Sequence, residues 1–286
     1  MDVHLISTGQ VKITESWRVG RGSRALRLAN ALLDRNFTDW LPIYCTIIEH
    51  REGLIVVDTG ISIDANAPVY FPPHLRLVQR AAPFQITPEQ EIGTQMRARG
   101  LNPNDVRWVV LTHLHQDHDG GLQHFPNAEF VVARKEWVAG QGWGGRFAGY
   151  FNWRWSRLSP RLVDFQSGAY HSFGASEALT DDMRLVPTPG HSAGHLSVIV
   201  ERGDHALFLA GDAAYSQDLL LRDAIDGVGP DPAAQRETHR RILEFAKRVP
   251  AIFLPSHDPE AAYRLEHKLT IAEGSDKEAM QRFSLT

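Results

Sequence analysis

Apolar positions along the chain fall into short runs closed by Gly, Pro, Asp, Asn or Ser, a pattern that reads as strands punctuated by turns. Residues 3–6 and 11–14 read as two short strands around the turn Thr8-Gly9-Gln10. Runs 43–50 and 54–57 read as a hairpin closed by Arg51-Glu52-Gly53, and the second ends in Asp58-Thr59-Gly60. Trp108, Val109, Val110 and Leu111 predict a buried strand, because a strand covered on both faces needs no polar alternation. Further strands are expected at 128–133, 183–186, 196–201, 206–210 and 251–254.

Helices announce themselves by their first residues. Thr87 as N-cap, Pro88 and the acids Glu89 and Glu91 start one that ends near Gly100. Asp231 and Pro232 open another reaching about Arg248, and Arg134 begins a third. Residues 20–40 read as a glycine- and arginine-rich loop followed by a short helix over 25–33, with the arginines on a solvated face. Residues 61–84, with four prolines, read as an ordered but irregular excursion. After Tyr263 the chain reads as helical, then polar.

Composition narrows the class. A chain of 286 residues, 43% hydrophobic and without a compositional break, predicts one α/β domain over 1–286. The net charge of −4, with no Lys/Arg cluster, argues against nucleic acid or an anionic membrane as partner. Cys45 is the only cysteine, so an internal disulfide and a cysteine-rich metal site are excluded, and it reads as a buried small hydrophobe. The N-terminus lacks the pattern of a signal peptide, and no run approaches the roughly 20 apolar residues of a membrane span. A cytoplasmic location is the expectation.

The chemistry concentrates where strands end. Directly after 108–111 come His113, His115, Asp117 and His118, four potential ligands within six residues, followed by Gly120 and Gly121. In an extended segment alternate side chains share a side, so His113 and His115 can grip one ion while Asp117 and His118 face a second. Imidazole and carboxylate suit zinc, iron, cobalt or manganese without thiolate. His191 lies in a glycine-rich turn before a strand, while Asp212 and His257 each follow a strand end. Together these seven residues make a site for two divalent metals, zinc first among them. Asp58 reads either as a turn residue or as a carboxylate orienting a histidine ligand. His195 and His124 fall outside the pattern and read as structural. The glycine and tryptophan stretch 140–155 reads equally as a loop pinned by its aromatics or as a substrate-facing lid.

The run His-x-His-x-Asp-His, followed by Gly-His, Gly-Asp and a late Ser-His, resembles the metallo-β-lactamase superfamily over residues 58–257. The resemblance implies an αββα sandwich with metals at one edge. It implies that His113, His115 and His191 hold one metal, that Asp117, His118 and His257 hold the other, and that Asp212 bridges them. It also implies a bridging hydroxide as nucleophile, since coordination lowers the pKa of water from 15.7 towards about 7. Tyr215, three residues after Asp212, stands where N-acyl homoserine lactonases resemble one another in setting a tyrosine over the metals. The alternative is a tyrosine merely packed there.

The intervals of 21 residues from His191 to Asp212 and 45 from Asp212 to His257 are similar to the lactonase pattern. The longer interval after His118 suggests a substrate-pocket insertion around 140–156. The reading that follows is a lactone hydrolase acting on a small acyl lactone, as monomer or homodimer. In it Tyr215 assists the carbonyl and Asp117 carries the proton to the leaving alkoxide. Phe71, Phe84, Trp143, Phe147, Tyr150 and Trp153 are candidates to enclose the acyl chain. A glyoxalase II-like thioesterase, drawing on basic residues such as Arg264 and Lys268, and an organophosphate hydrolase of the methyl parathion type are the alternatives. A β-lactamase fits less well, because Asp212 stands where those enzymes carry cysteine or histidine.

Overall fold

The computed structural model describes residues 1–67, 70–156 and 158–271. Its first sheet comprises β1 (Asp2–Val11), β2 (Leu41–His50), β3 (Gly53–Val57), β4 (Phe84–Gln85), β5 (Val106–Val110), β6 (Glu129–Ala133) and β7 (Arg161–Val163). Their spatial order is β4-β1-β2-β3-β5-β6-β7. The second sheet comprises β8 (Glu177–Ala178), β9 (Met183–Pro187), β10 (Leu196–Glu201), β11 (Ala206–Gly211) and β12 (Ala251–Pro255), in the order β12-β11-β10-β9-β8.

Side chains alternate across each strand, and here both faces are apolar. Ile55, Val57, Trp108 and Val110 of the first sheet meet Leu207, Leu209, Ile252 and Leu254 of the second in one buried cluster. Their neighbours Val56 and Val109 face outward onto Ile92 and Met96 of the helix Ile92–Ala98. On the other side Phe208 and Phe253 face Ile242 and Phe245 of the helix Pro232–Arg248. The result is the αββα sandwich. Asp231 caps the long helix by accepting from the backbone N–H groups of Ala233 and Ala234, with Pro232 in the first turn. No helix among the described residues is long and apolar enough to cross a membrane.

Three expectations need correction. Residues 3–14 do not form two strands around a turn: β1 pairs with β2 from Asp2 to Val11, and the glycine marks a bulge between Ser7 and Gln10. Gly9 has φ +105°, and a Cβ there would stand 2.9 Å from the carbonyl oxygen of Gln85, so the bulge needs glycine. The helix expected over 87–100 is split into a 3-10 turn at Pro88–Gln90 and the helix Ile92–Ala98. Glu91 breaks it with extended backbone, and its carboxylate accepts from the N–H of Ile63. Arg27, expected on a solvated face, is 1% exposed and donates to the carbonyls of Asp226 and Gly229.

Other expectations compare directly. The excursion over 61–84 contains two 3-10 turns, Ile63–Asn66 and Pro73–Leu75, followed by a helix at Arg76–Ala81. The C-terminal helix runs Ala261–His267, and the polar tail beyond it, 272–286, lies outside the described residues. Cys45 is buried in β2.

Phe245 is fully buried against Phe208, with ring centroids 5.8 Å apart. Phe245→Ala is expected to cost about 3–5 kcal/mol. Chemical denaturation reads this as a lower midpoint at unchanged slope.

Candidate metal centre

The carboxyl ends of β3, β5, β9, β11 and β12 meet at one end of the sandwich, where backbone hydrogen bonds tie the two sheets together. Leu196 N–H donates to Thr112 O and Tyr44 N–H to Ser256 O, both at 2.9 Å, and within the second sheet Ser256 N–H donates to Gly211 O at 3.0 Å. Rigid strands thereby present loop residues to a common point. His113, His115, Asp117 and His118 follow β5, His191 lies between β9 and β10, Asp212 follows β11, and His257 follows β12.

All seven side chains converge. His115 Nδ1 lies 3.0 Å from His113 Nε2 and 3.1 Å from His191 Nε2. Asp212 spans the cluster. Its Oδ2 is 3.4 Å from His191 Nε2 and 3.9 Å from His113 Nε2, while its Oδ1 is 3.4 Å from His118 Nε2 and 3.3 Å from His257 Nε2. Asp117 closes the second group at 3.5 Å from His257 and 4.0 Å from His118.

Three overlapping groups could therefore hold an ion: His113, His115 and His191; His113, His118 and Asp212; and Asp117, His118 and His257. Ligand atoms about 2.0–2.1 Å from a tetrahedral zinc stand about 3.3 Å apart, close to the spacing of the first group. His118 Nε2 and Asp212 Oδ1 are buried without a hydrogen-bond partner among the described residues. A divalent cation satisfies two such orphaned atoms, so the donor set fits metal.

Electrostatics sort the ligands. Burial, reinforced by neighbouring imidazoles, keeps His113 and His115 well below the usual histidine pKa, in the neutral form that binds metal. Burial also opposes charge on His118, but Asp212, Asp58 and Asp117 outweigh it and hold its pKa well above the usual value. For Asp212, burial favours the neutral acid, yet His257 and His118 keep it well below the carboxylate range.

Three of the imidazoles are also held from behind. Asp58 accepts from His118 Nδ1 at 2.8 Å and from the N–H and hydroxyl of Thr112, both at 2.8 Å. Its backbone sits in the left-handed region at φ +58°, a conformation aspartate tolerates better than most residues and one that marks functional sites. Of the two readings of Asp58, the structure supports the orienting carboxylate. Asp226 plays the same part for His191 Nδ1 at 3.0 Å, and Pro42 O accepts from His257 Nδ1 at 2.9 Å. His195 accepts the Asp212 N–H on Nε2 at 3.0 Å and donates to the Thr188 hydroxyl, so it positions a ligand without facing the cluster. His124 pairs with Glu91 at 3.6 Å, away from the centre.

Glu136 carries no signal in the sequence. Completely buried, it accepts from Leu114 N–H, Tyr150 Oη, Ser192 Oγ and Gly194 N–H, tying the His113 loop to the His191 loop. In sequence it follows Arg134 and Lys135 and reads as part of a solvated helix face. Asp226, in Asp-Gly-Val-Gly-Pro, reads as a turn. No local signal distinguishes either.

Tyr215 is 6% exposed, with its ring centroid 5.6 Å from both His191 and His257, so it straddles the two ligand groups. The stretch 140–156 is pinned at its second half. Asp119, directly after the ligand loop, accepts from Trp155 Nε1 at 2.6 Å and Arg154 at 3.0 Å, and the Tyr150 ring lies 5.4 Å from His115. Phe71 and Phe84 pack with Phe151 in a separate aromatic cluster, Trp143 is 70% exposed, and Trp153 stacks on Phe151. The Phe147 side chain lies outside the described residues.

An αββα sandwich with imidazoles and carboxylates converging at the strand ends is the architecture of a metal-dependent hydrolase. The family model of the metallo-beta-lactamase superfamily matches residues 38–257, and the chain belongs to that superfamily. Its fold implies divalent metal ions, for which these residues are candidate ligands. The N-acyl homoserine lactonase AttM of Azorhizobium caulinodans is 28% identical, covering 84% of this chain and 91% of its own. The N-acyl homoserine lactonase AiiA of Bacillus thuringiensis subsp. kurstaki is 28% identical, covering 77% and 82%. Among solved structures, an N-acyl homoserine lactone hydrolase with N-hexanoyl-L-homoserine bound at its catalytic metal center superposes with a TM-score of 0.74. It is 24% identical and covers 91% of this chain and 94% of its own.

Asp58→Asn and Asp226→Asn are each expected to weaken metal binding by about 10–100-fold while leaving the fold intact. Competition against a chelating dye measures this, and unchanged affinity in both would remove the orienting role.

Proposed function

We propose that this hydrolase opens the ester ring of N-acyl homoserine lactones at a two-metal centre. The observation that carries the reading is Tyr215, whose phenol lies over both ligand groups at equal distance. The lactonase relatives support it.

His113, His115 and His191 would hold one ion, Asp117, His118 and His257 the other, and Asp212 would serve both. Divalent ions there, zinc first, supply Lewis-acid polarisation of the ester carbonyl and lower the pKa of coordinated water towards about 7. The chain's own residues do the rest. Burial raises the Tyr215 pKa well above that of a free phenol, and Asp226 and Asp212 add to it. The phenol therefore keeps its proton and donates a hydrogen bond to the carbonyl oxygen as negative charge develops. Asp117, with 12% of its side chain exposed against 4% for Asp212, is the carboxylate placed to carry a proton to the ring oxygen as the C–O bond breaks.

Ile13, Ile61 and Ala65 share one hydrophobic cluster with Tyr215, and the partly buried Val19 packs against it. We assign the segment 140–156 to the opposite wall through Tyr150, with Phe71 and Phe84 bracing rather than lining it. The thioesterase alternative loses its support in Arg264, which is buried and closed on Asp258 and the Phe253 carbonyl.

Metal-loaded protein is expected to release acid from short- and long-chain N-acyl homoserine lactones, followed by pH titration. Chelation should abolish turnover and zinc restore it. Asp212→Ala should be inactive, and Tyr215→Phe should lose roughly 100-fold in kcat. If wild-type protein with two bound metals turned over none of these lactones, the lactone assignment would fall.

A further inference from the structure

The first 34 residues contain a segment that supplies neither a candidate ligand nor a proton donor to the reaction above. From Thr14 the chain forms the short helix Glu15–Arg18, crosses to the helix Arg24–Leu33, and is fastened at both ends. Thr14 Oγ1 donates to Ala31 O at 2.6 Å, and Ser16 donates to Asp34 through both its N–H and its hydroxyl. Against the body of the protein, Gly227 N–H donates to Trp17 O at 2.7 Å and Gly20 N–H donates to Ile225 O at 2.8 Å. The contact is close enough that a Cβ on Gly227 would stand 2.1 Å from Ser16 O. Arg27 completes the seat through the carbonyls of Asp226 and Gly229.

This strap delivers one side chain to the centre. Trp17 Nε1 donates to the Tyr215 hydroxyl at 3.0 Å, across 198 residues of sequence. An indole N–H only donates, so it must occupy a lone pair of the phenol oxygen. The hydroxyl proton is then directed away from Trp17. Tyr215 donates no hydrogen bond to any other described residue, which leaves that proton for a ligand. Accepting a hydrogen bond also makes a hydroxyl a stronger donor, because hydrogen bonds in a chain polarise one another. Trp17 accordingly opposes the rise in the Tyr215 pKa that burial and the two aspartates impose.

We infer that Trp17 is a positioning residue for the reaction, fixing the direction of the Tyr215 hydroxyl towards the substrate carbonyl. This rests on the role proposed for Tyr215 and extends the machinery to the N-terminal strap. The substrate never needs to touch Trp17.

A double-mutant cycle tests it, with Trp17→Phe, Tyr215→Phe and the pair, at matched metal content. Trp17→Phe keeps an aromatic ring while removing the N–H together with part of the indole. It is expected to lower kcat roughly tenfold, the worth of one hydrogen bond in the transition state, with KM changed less than twofold. In the Tyr215→Phe background the same change should cost nothing further. Equal losses in both backgrounds would make Trp17 a merely structural residue and overturn the inference.

Failure of the underlying reading looks different, because Tyr215→Phe would then itself retain full kcat. Should Trp17→Phe fold poorly, the indole N–H resonances of folded wild-type and Tyr215→Phe protein decide the matter. One resonance is expected to move upfield and exchange faster on loss of the phenol. No change in any indole resonance would overturn the inference.

Discussion

One constraint governs the architecture: the Asp212 carboxylate is kept out of water between two sets of imidazoles. A buried carboxylate is tolerable only when paired. His118 and His257 approach one oxygen and His113 and His191 the other. Each imidazole must therefore face inward, and none can turn to find a better partner, because its other nitrogen is already engaged. His118 is tied to Asp58, His191 to Asp226, and His257 to a backbone carbonyl. Pairs of this kind fix both the tautomer and the ring plane before any ion arrives.

The loops bearing these ligands come from both sheets, and buried acids hold them in register. Glu136 accepts four hydrogen bonds, two of them backbone N–H groups from the His113 and His191 loops. Asp119 holds Trp155 and Arg154 against the ligand loop. Through Tyr150 and Trp155 the segment 140–156 is thus joined to the metal-binding loops at two buried carboxylates. Those two carboxylates are the links by which a change of sequence in that segment reaches the centre.

The ligands were legible because each advertises itself locally. An apolar strand that stops at His or Asp beside Gly, Pro or Ser signals a site whatever the fold, and the long capped helix at 232–248 was equally plain. What stayed hidden depends on partners distant in sequence. Asp226 reads as a turn until His191, 35 residues earlier, is seen beside it, and Glu136 reads as a solvated acid until three loops close over it. Arg27 looked exposed because arginine usually is, and only tertiary carbonyls justify its burial. Gly9 reads as a turn in the sequence and forms a bulge in the structure, since a positive φ serves either purpose.

Metal centre and phenol environment come from different parts of the chain. The matched residues 38–257 contain every candidate ligand together with Tyr215, Asp58 and Asp226. The strap lies before them, yet it touches the Tyr215 hydroxyl through Trp17 and the Asp226 carbonyl through Arg27. Asp226 in turn orients His191. Two short hydrogen-bond paths therefore lead from the strap to the centre, one to the phenol and one to a ligand histidine. A superfamily that keeps its ligands can alter the group above the metals by changing such a peripheral segment, with the metal-binding strands left untouched. Differences in chemistry among members of this fold then belong as much to what covers the centre as to the centre itself.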